Sequence, residues 1–367
     1  MNFTAADHQA MAQALQLAER GLWTTSPNPR VGCALVAPSG AIVGTGWHER
    51  AGEPHAEIHA LRAAGERARN ATAYVTLEPC NHFGRTPPCT EALIAAGVSR
   101  VVAAMTDPNP LVSGQGLARL QAAGIETACG LMENAARELN IGFISRLVRG
   151  RPWLRLKAAA SLDGKTALNN GLSQWITGPD ARQDGHRWRA RACAILTGSG
   201  TVRADNPQLS VREVDTPRQP LRVIVDSRLA TPPTARILSG GGPVLIAGAV
   251  AEAAKIAALE AAGAAVAILP NAAGQVDLPQ LLAELARRGI NEIHAEAGPK
   301  LNGALLEAGL VDELLLYLAP CLIGDQASGL FNLPQLDNLD GKRPLQIRDI
   351  RQIGPDIRLL ARVLPVA

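Results

Sequence analysis

The chain has 367 residues, with 36 basic against 33 acidic side chains and a formal net charge of +3. At 47 % hydrophobic and 19 % charged residues, it has the makeup of about two globular domains with a sizeable core. Collagen-like, disordered and coiled-coil readings are excluded, and the near-neutral balance gives no default affinity for nucleic acid or a membrane surface.

No apolar run reaches the ~18 residues of a membrane span. The opening stretch has no apolar core followed by small residues, so no secretory signal is expected. Six cysteines scattered through a long chain predict a cytoplasmic protein in which any clustered thiols bind metal or catalyse.

Thr4-Ala-Ala-Asp7 reads as a capping box opening a helix over 5–21. Residues 31–37 and 41–48 predict a hairpin around Pro38-Ser-Gly40. A helix beginning near His55, a buried strand over 73–78, a helix from Cys89 and a strand over 100–105 follow. Helices over 115–123 and 133–147 close this half. Charge and Pro/Gly density rise at Arg146–Pro152, which places a boundary between domains 1–148 and 149–367. Beyond it, strands are predicted over 153–161, 192–199, 221–227, 243–249, 264–270, 292–298 and 313–320, with helices over 250–263 and 277–289. Strands alternating with helices make both halves α/β.

The sharpest chemical signal is His55-Ala-Glu57, then Pro79-Cys80 and Cys89. One imidazole and two thiolates suit zinc and leave a fourth position open. His55 and Cys89 sit where helices begin, and the free N–H groups there favour thiolates. Glu57, two residues from His55, is a poor fourth ligand but is placed to shuttle a proton, as in the zinc deaminases. A closed structural site with His82, His48 or Cys33 as fourth ligand stays open on sequence grounds. His59, one turn after His55, is expected to pack.

In the second half no GxGxxG follows a strand; Gly198-Ser-Gly200 fails that fingerprint. Polar residues gather instead at predicted strand ends: Lys157, Thr197 to Thr201, Asp226-Ser227 and Glu296.

HAEIHAL with TLEPCNHFGRTPPC, the PNPRVG run from Pro27 and AGEP before His55 resemble the bifunctional riboflavin-biosynthesis deaminase/reductase family. Segments 156–167, 173–178, 195–209, 223–227 and 295–306 are similar to its reductase half, so the likeness runs nearly end to end. It implies a cytidine-deaminase-like three-layer domain and a dihydrofolate-reductase-like domain. Zinc would be held by His55, Cys80 and Cys89, with Glu57 as proton carrier. The resemblance further implies a phosphoribosyl pyrimidine substrate, which Asn28, Arg85, Lys157, Ser173, Arg189, Leu209, Arg212 and Glu296 would touch. NADPH would meet Ala159, Trp175, Thr201, Asp205, Ser227 and a loop of Gly298, Pro299, Lys300, Leu301, Asn302, Gly303 and Ala304. Arg189 and Arg212 could clamp a phosphate, Lys157 and Asp205 could assist sugar-ring opening, and a homodimer is expected. The rival readings are a nucleic-acid-editing deaminase with a C-terminal targeting module, and a structural zinc scaffold.

Overall fold

The computed structural model describes residues 3–82 and 87–365 and divides into two compact units, Met1–Gly150 and Arg151–Ala367. No helix among the described residues is long and apolar enough to cross a membrane.

In the first unit α1 (Ala5–Glu19) is followed by β1 (Gly32–Val36), β2 (Ile42–Trp47), α2 (Ala56–Ala64), β3 (Thr72–Val75), α3 (Cys89–Ala95), β4 (Arg100–Ala103), α4 (Gln115–Ala122), β5 (Glu126–Cys129), α5 (Glu133–Leu139) and α6 (Ile141–Arg149). The sheet runs β2-β1-β3-β4-β5, with β1 antiparallel to both neighbours and β3 to β5 parallel. The Thr4/Asp7 capping box is present. Glycines set the layers. A Cβ on Gly32 would stand 2.0 Å from the Ala14 carbonyl of α1, and one on Gly46 would stand 2.4 Å from the Ala56 carbonyl of α2. Gly46 pairs with Cys33, the neighbour of Gly32, so the two glycines face opposite sides and α1 and α2 sandwich the sheet.

The helix expected over 133–147 is two helices. Asn140, between them, donates to the Arg30 carbonyl at 2.9 Å and accepts from its N–H at 2.8 Å. A tertiary contact thus overrides local propensity.

The second unit contains β6 (Trp153–Ser161), β7 (Lys165–Ala167), α7 (Pro179–Arg191), β8 (Ala194–Gly198), α8 (Ser199–Asp205), β9 (Leu221–Val225), α9 (Arg236–Ser239), β10 (Val244–Gly248), α10 (Ala253–Ala261), β11 (Ala265–Ile268), α11 (Leu278–Arg287), β12 (Glu292–Ala295), α12 (Pro299–Glu307), β13 (Glu313–Ala319), β14 (Ser328–Gly329), β15 (Leu345–Ile353) and β16 (Asp356–Val363). Its main sheet runs β11-β10-β9-β8-β12-β6-β13-β16-β15. It is parallel as far as β13, and then β16 and β15 add an antiparallel hairpin. Sequence periodicity did not reveal α7, α8, α12 or that hairpin. Residues 298–304, expected as a loop, form the start of α12, with Gly298 as its N-cap and Pro299 in the first turn.

Candidate active sites in the two units

In the first unit, His55 is the N-cap of α2 and Cys89 the first residue of α3. Cys80 lies on the segment after β3, which Glu78 anchors. The Glu78 carboxylate is buried and accepts from the N–H groups of Asp107, Gly114 and Gly116 at 2.8–3.0 Å. This places the carboxylate at the N-terminus of α4, where negative charge is favoured. A Cβ on Gly116 would stand 2.0 Å from the Pro79 carbonyl, so the Pro-Cys turn is clamped to α4. Sequence reasoning passed over Glu78, although its place beside Pro79-Cys80 was the available signal.

His55 Nδ1 lies 3.3 Å from Cys89 Sγ and 3.5 Å from Cys80 Sγ, and the three ligand atoms all fall within 4.8 Å of one another. Zinc bonds of 2.0 and 2.3 Å at a tetrahedral angle separate N and S by about 3.5 Å, so the triangle fits that ion. Among the described residues no fourth His, Cys, Asp or Glu joins the group, so the closed site with His48, His82 or Cys33 is not formed. Hydrogen bonds from the Cys89 thiol, from His55 and from the Cys89 N–H hold the Cys80 thiol well below its usual range, against the effect of burial. Cys89 is pushed up by its bond to Cys80 and by burial.

Glu57 is buried, at 3 % exposure, and its Oε2 has no hydrogen-bond partner. Burial, reinforced by the Cys80 charge, pushes it up to about 7. A carboxyl balanced between its two protonation states near neutral pH suits a proton carrier.

Asn28 Nδ2 lies 3.1 Å from His48 Nε2, and His48 Nδ1 lies 3.2 Å from the Pro54 carbonyl. The consistent assignment protonates Nδ1 and leaves Nε2 as acceptor for the Asn28 amide. His48 therefore supports Asn28 rather than binding metal. His59 Nε2 is buried without a partner and stands outside the ligand group. Arg85 falls outside the described residues.

In the second unit a cavity of about 1170 Å³ opens past the carboxyl ends of the parallel strands, the usual ligand position in such sheets. It is lined by every residue expected to meet NADPH or substrate there, from Lys157 to Ala304, except Gly303. A Cβ on Gly303 would stand 1.8 Å from the Asn332 carbonyl. That close approach packs α12 against the segment holding Asn332.

Arg189 is not a free phosphate clamp. Its Nε donates to Glu296 Oε1, and its Nη2 donates to Oε2 at 2.8 Å. Burial opposes ionisation of Glu296, but Arg189, His294 and Lys157 hold it well below the carboxylate range. Arg212 remains exposed at the rim, with its N–H donated to His186 Nδ1 at 3.2 Å. Burial pushes the Lys157 amine down and the Asp205 carboxyl up. Trp175 is 70 % exposed, with the Arg182 guanidinium 4.6 Å from its ring centre. It is a cavity wall rather than a core anchor. Ser227 Oγ accepts from the Val276 N–H at 3.1 Å, tying β9 to the segment before α11. Leu209 adopts φ +47°, a left-handed conformation uncommon outside glycine, and is buried beside the cavity.

The family model described as "Cytidine and deoxycytidylate deaminase zinc-binding region" matches residues 4–105, and "RibD C-terminal domain" matches residues 152–359. The chain is 50 % identical over 365 residues to the riboflavin biosynthesis protein RibD of Escherichia coli, covering 96 % of this chain and 98 % of that one. A solved structure of Acinetobacter baumannii RibD superposes with a TM-score of 0.91 at 43 % identity, over 98 % of this chain and 99 % of that one. A Thermotoga maritima structure, described as a diaminohydroxyphosphoribosylaminopyrimidine deaminase/5-amino-6-(5-phosphoribosylamino)uracil reductase, gives 0.87 at 31 % identity over the same shares.

Proposed function

The chain belongs to the RibD family of riboflavin biosynthesis proteins, and from that premise we propose that it deaminates a diaminopyrimidine ribose phosphate and then reduces the product's ribosyl group to ribityl. The observation that carries the reading is the His55–Cys80–Cys89 triangle beside the buried, unpartnered Glu57 Oε2.

His55, Cys80 and Cys89 would hold zinc, which supplies Lewis acidity and brings the pKa of water toward neutrality. Glu57 takes a proton from the attacking water and delivers it to the pyrimidine, so that water enters and ammonia leaves. Asn28, its Nδ2 occupied by His48, offers Oδ1 to a ring N–H or amino group. Arg85 would meet the substrate phosphate.

In the second unit NADPH, when bound, would supply the hydride. Ala159, Trp175, Thr201, Asp205, Ser227 and the first turn of α12 would hold it, since the N-terminus of that nine-residue helix favours a pyrophosphate. Ser173, Leu209, Arg212 and the Arg189–Glu296 pair would seat the phosphoribosyl substrate. Lys157 and Asp205 stand where they could exchange protons with the opening sugar ring. Catalysis here is chiefly positioning. We place the deaminase in residues 1–148 and the reductase in 149–367, and extend the proposal to a cytoplasmic homodimer. Exposed apolar side chains on the edge strand β15, Leu345, Ile347 and Ile350, support a partner at that edge.

Incubation of the zinc-loaded protein with the diaminopyrimidine ribose phosphate should release ammonia with or without NADPH, and NADPH should be consumed only afterwards. Absence of ammonia release from folded, zinc-replete protein overturns the reading.

A further inference from the structure

We propose that His294 is a positioning residue for reduction, helping Arg189 to hold the plane of the Glu296 carboxylate that faces the ligand. The inference rests on the assignment of Glu296 to the substrate site. Alternation along β12 puts Ile293 and Ala295 in the apolar core and Glu292 and His294 on the opposite face. There Glu292 accepts from Arg191 of α7 at 2.9 Å. His294 is completely buried, beside Arg155 on β6 and Ile195 on β8 in register. A buried imidazole needs a partner. Glu296 Oε1 lies 3.3 Å from Nε2. Neither ring nitrogen has a settled hydrogen bond. Contacts of this kind often tighten when ligand binds.

Burial depresses the basicity of His294. Glu296 opposes this, while Arg189 and Arg155 add to it. The ring is therefore neutral and has one N–H to give. With that N–H on Nε2, and the 3.3 Å approach closed to a hydrogen bond when ligand binds, Oε1 of Glu296 accepts from both His294 and Arg189 Nε, which uses its two lone pairs. Oε2 accepts from Arg189 Nη2 and keeps one lone pair for a hydroxyl in the cavity. Without His294 the carboxylate plane rests on Arg189 alone, and Oε1 is left with an acceptor site open on its buried side.

The test compares His294→Leu, His294→Gln and His294→Asn, with Glu296→Gln as reference, in the zinc-loaded full chain. The glutamine amide nitrogen reaches the place of Nε2, whereas the asparagine nitrogen reaches only that of Nδ1. His294→Leu should lower the kcat of NADPH oxidation about 10- to 100-fold, leaving the KM for NADPH and ammonia release unchanged. His294→Gln should recover to within about threefold of the parent rate and His294→Asn should not, a difference a merely structural role would not produce. A leucine variant at the parental rate, or equal recovery by Asn and Gln, overturns the proposal. Should the leucine variant not fold, the Gln/Asn contrast decides. If Glu296→Gln reduces normally, the assignment of Glu296 falls and this proposal with it. If Glu296→Gln is inactive while His294→Leu is fully active, this proposal alone falls.

Discussion

The first unit draws its ligand triangle from one stretch of chain, residues 55–89, using two helix starts and a turn clamped by Glu78. The cavity of the second unit is lined from Lys157 to Leu330, by strand ends and helix starts distant in sequence. The charge arrangements differ as well. At the first site a buried carboxyl with one unpartnered oxygen, Glu57 Oε2, sits beside His55, Cys80 and Cys89. At the second, Glu296 is paired with Arg189 and backed by further buried charge, including Arg155 between Glu292 and Glu313. A site whose reactivity rests on one such carboxyl should fail on a single substitution. A site made of paired charges should respond to change in a graded way.

The largest expected effect tests that contrast directly. Glu57→Gln should lower ammonia release about 10²- to 10⁴-fold while zinc content and reduction of the deaminated substrate stay at parental levels. Comparable deamination by the variant would remove Glu57 from the mechanism and with it the difference between the sites.

A second test concerns support of the first unit. Asp7 is buried in α1 and accepts from Tyr74 Oη and Arg100 Nη1, both at 2.7 Å, besides Thr4. Burial works against its charge, but these donors hold its carboxyl well below the usual range. Because the folded-state pKa is lowered, its contribution is fully present above about 3.9 and fades as pH falls through the folded value. Asp7→Asn should cost about 3 kcal/mol at pH 7 and flatten the acid limb of stability measured by denaturant unfolding.

The smallest effect belongs to the second unit. Burial, then Arg189 and Arg212, lower His186 to about 4. Its neutral form contributes fully above about 6.5, and that contribution is lost as pH falls toward 4. Between pH 7 and 5.5 the loss should be about 1 kcal/mol, and His186→Gln should abolish this component. An unchanged pH dependence in the variant would show that the imidazole does not titrate where its surroundings imply.

Legibility in the sequence followed the same division. His55, Glu57, Cys80 and Cys89 could be read directly because metal chemistry restricts residue type and the helix starts restrict spacing. In the second half the residues themselves carried little signal, and resemblance supplied their roles. Helix α7 shows why: it buries Asp184, Gly185 and His186 alongside Ala181 and Ala190, so it has no apolar stripe to betray its period. Its polar face packs on charge, with Tyr317 Oη donating to Asp184 at 2.7 Å and Arg358 pairing with the same carboxylate.

By itself the sequence determined the α/β class, most strands of both units and the grouping of His55, Cys80 and Cys89, because burial imposes periodicity and metal chemistry restricts residue identity. Only the tertiary structure decided that Arg189 is bound to Glu296, that Gly303 packs against Asn332, that Asn140 divides a helix and that His48 supports Asn28. Each is a contact between residues distant in the chain or across packed layers, and neither propensity nor spacing encodes the partner of a buried polar group.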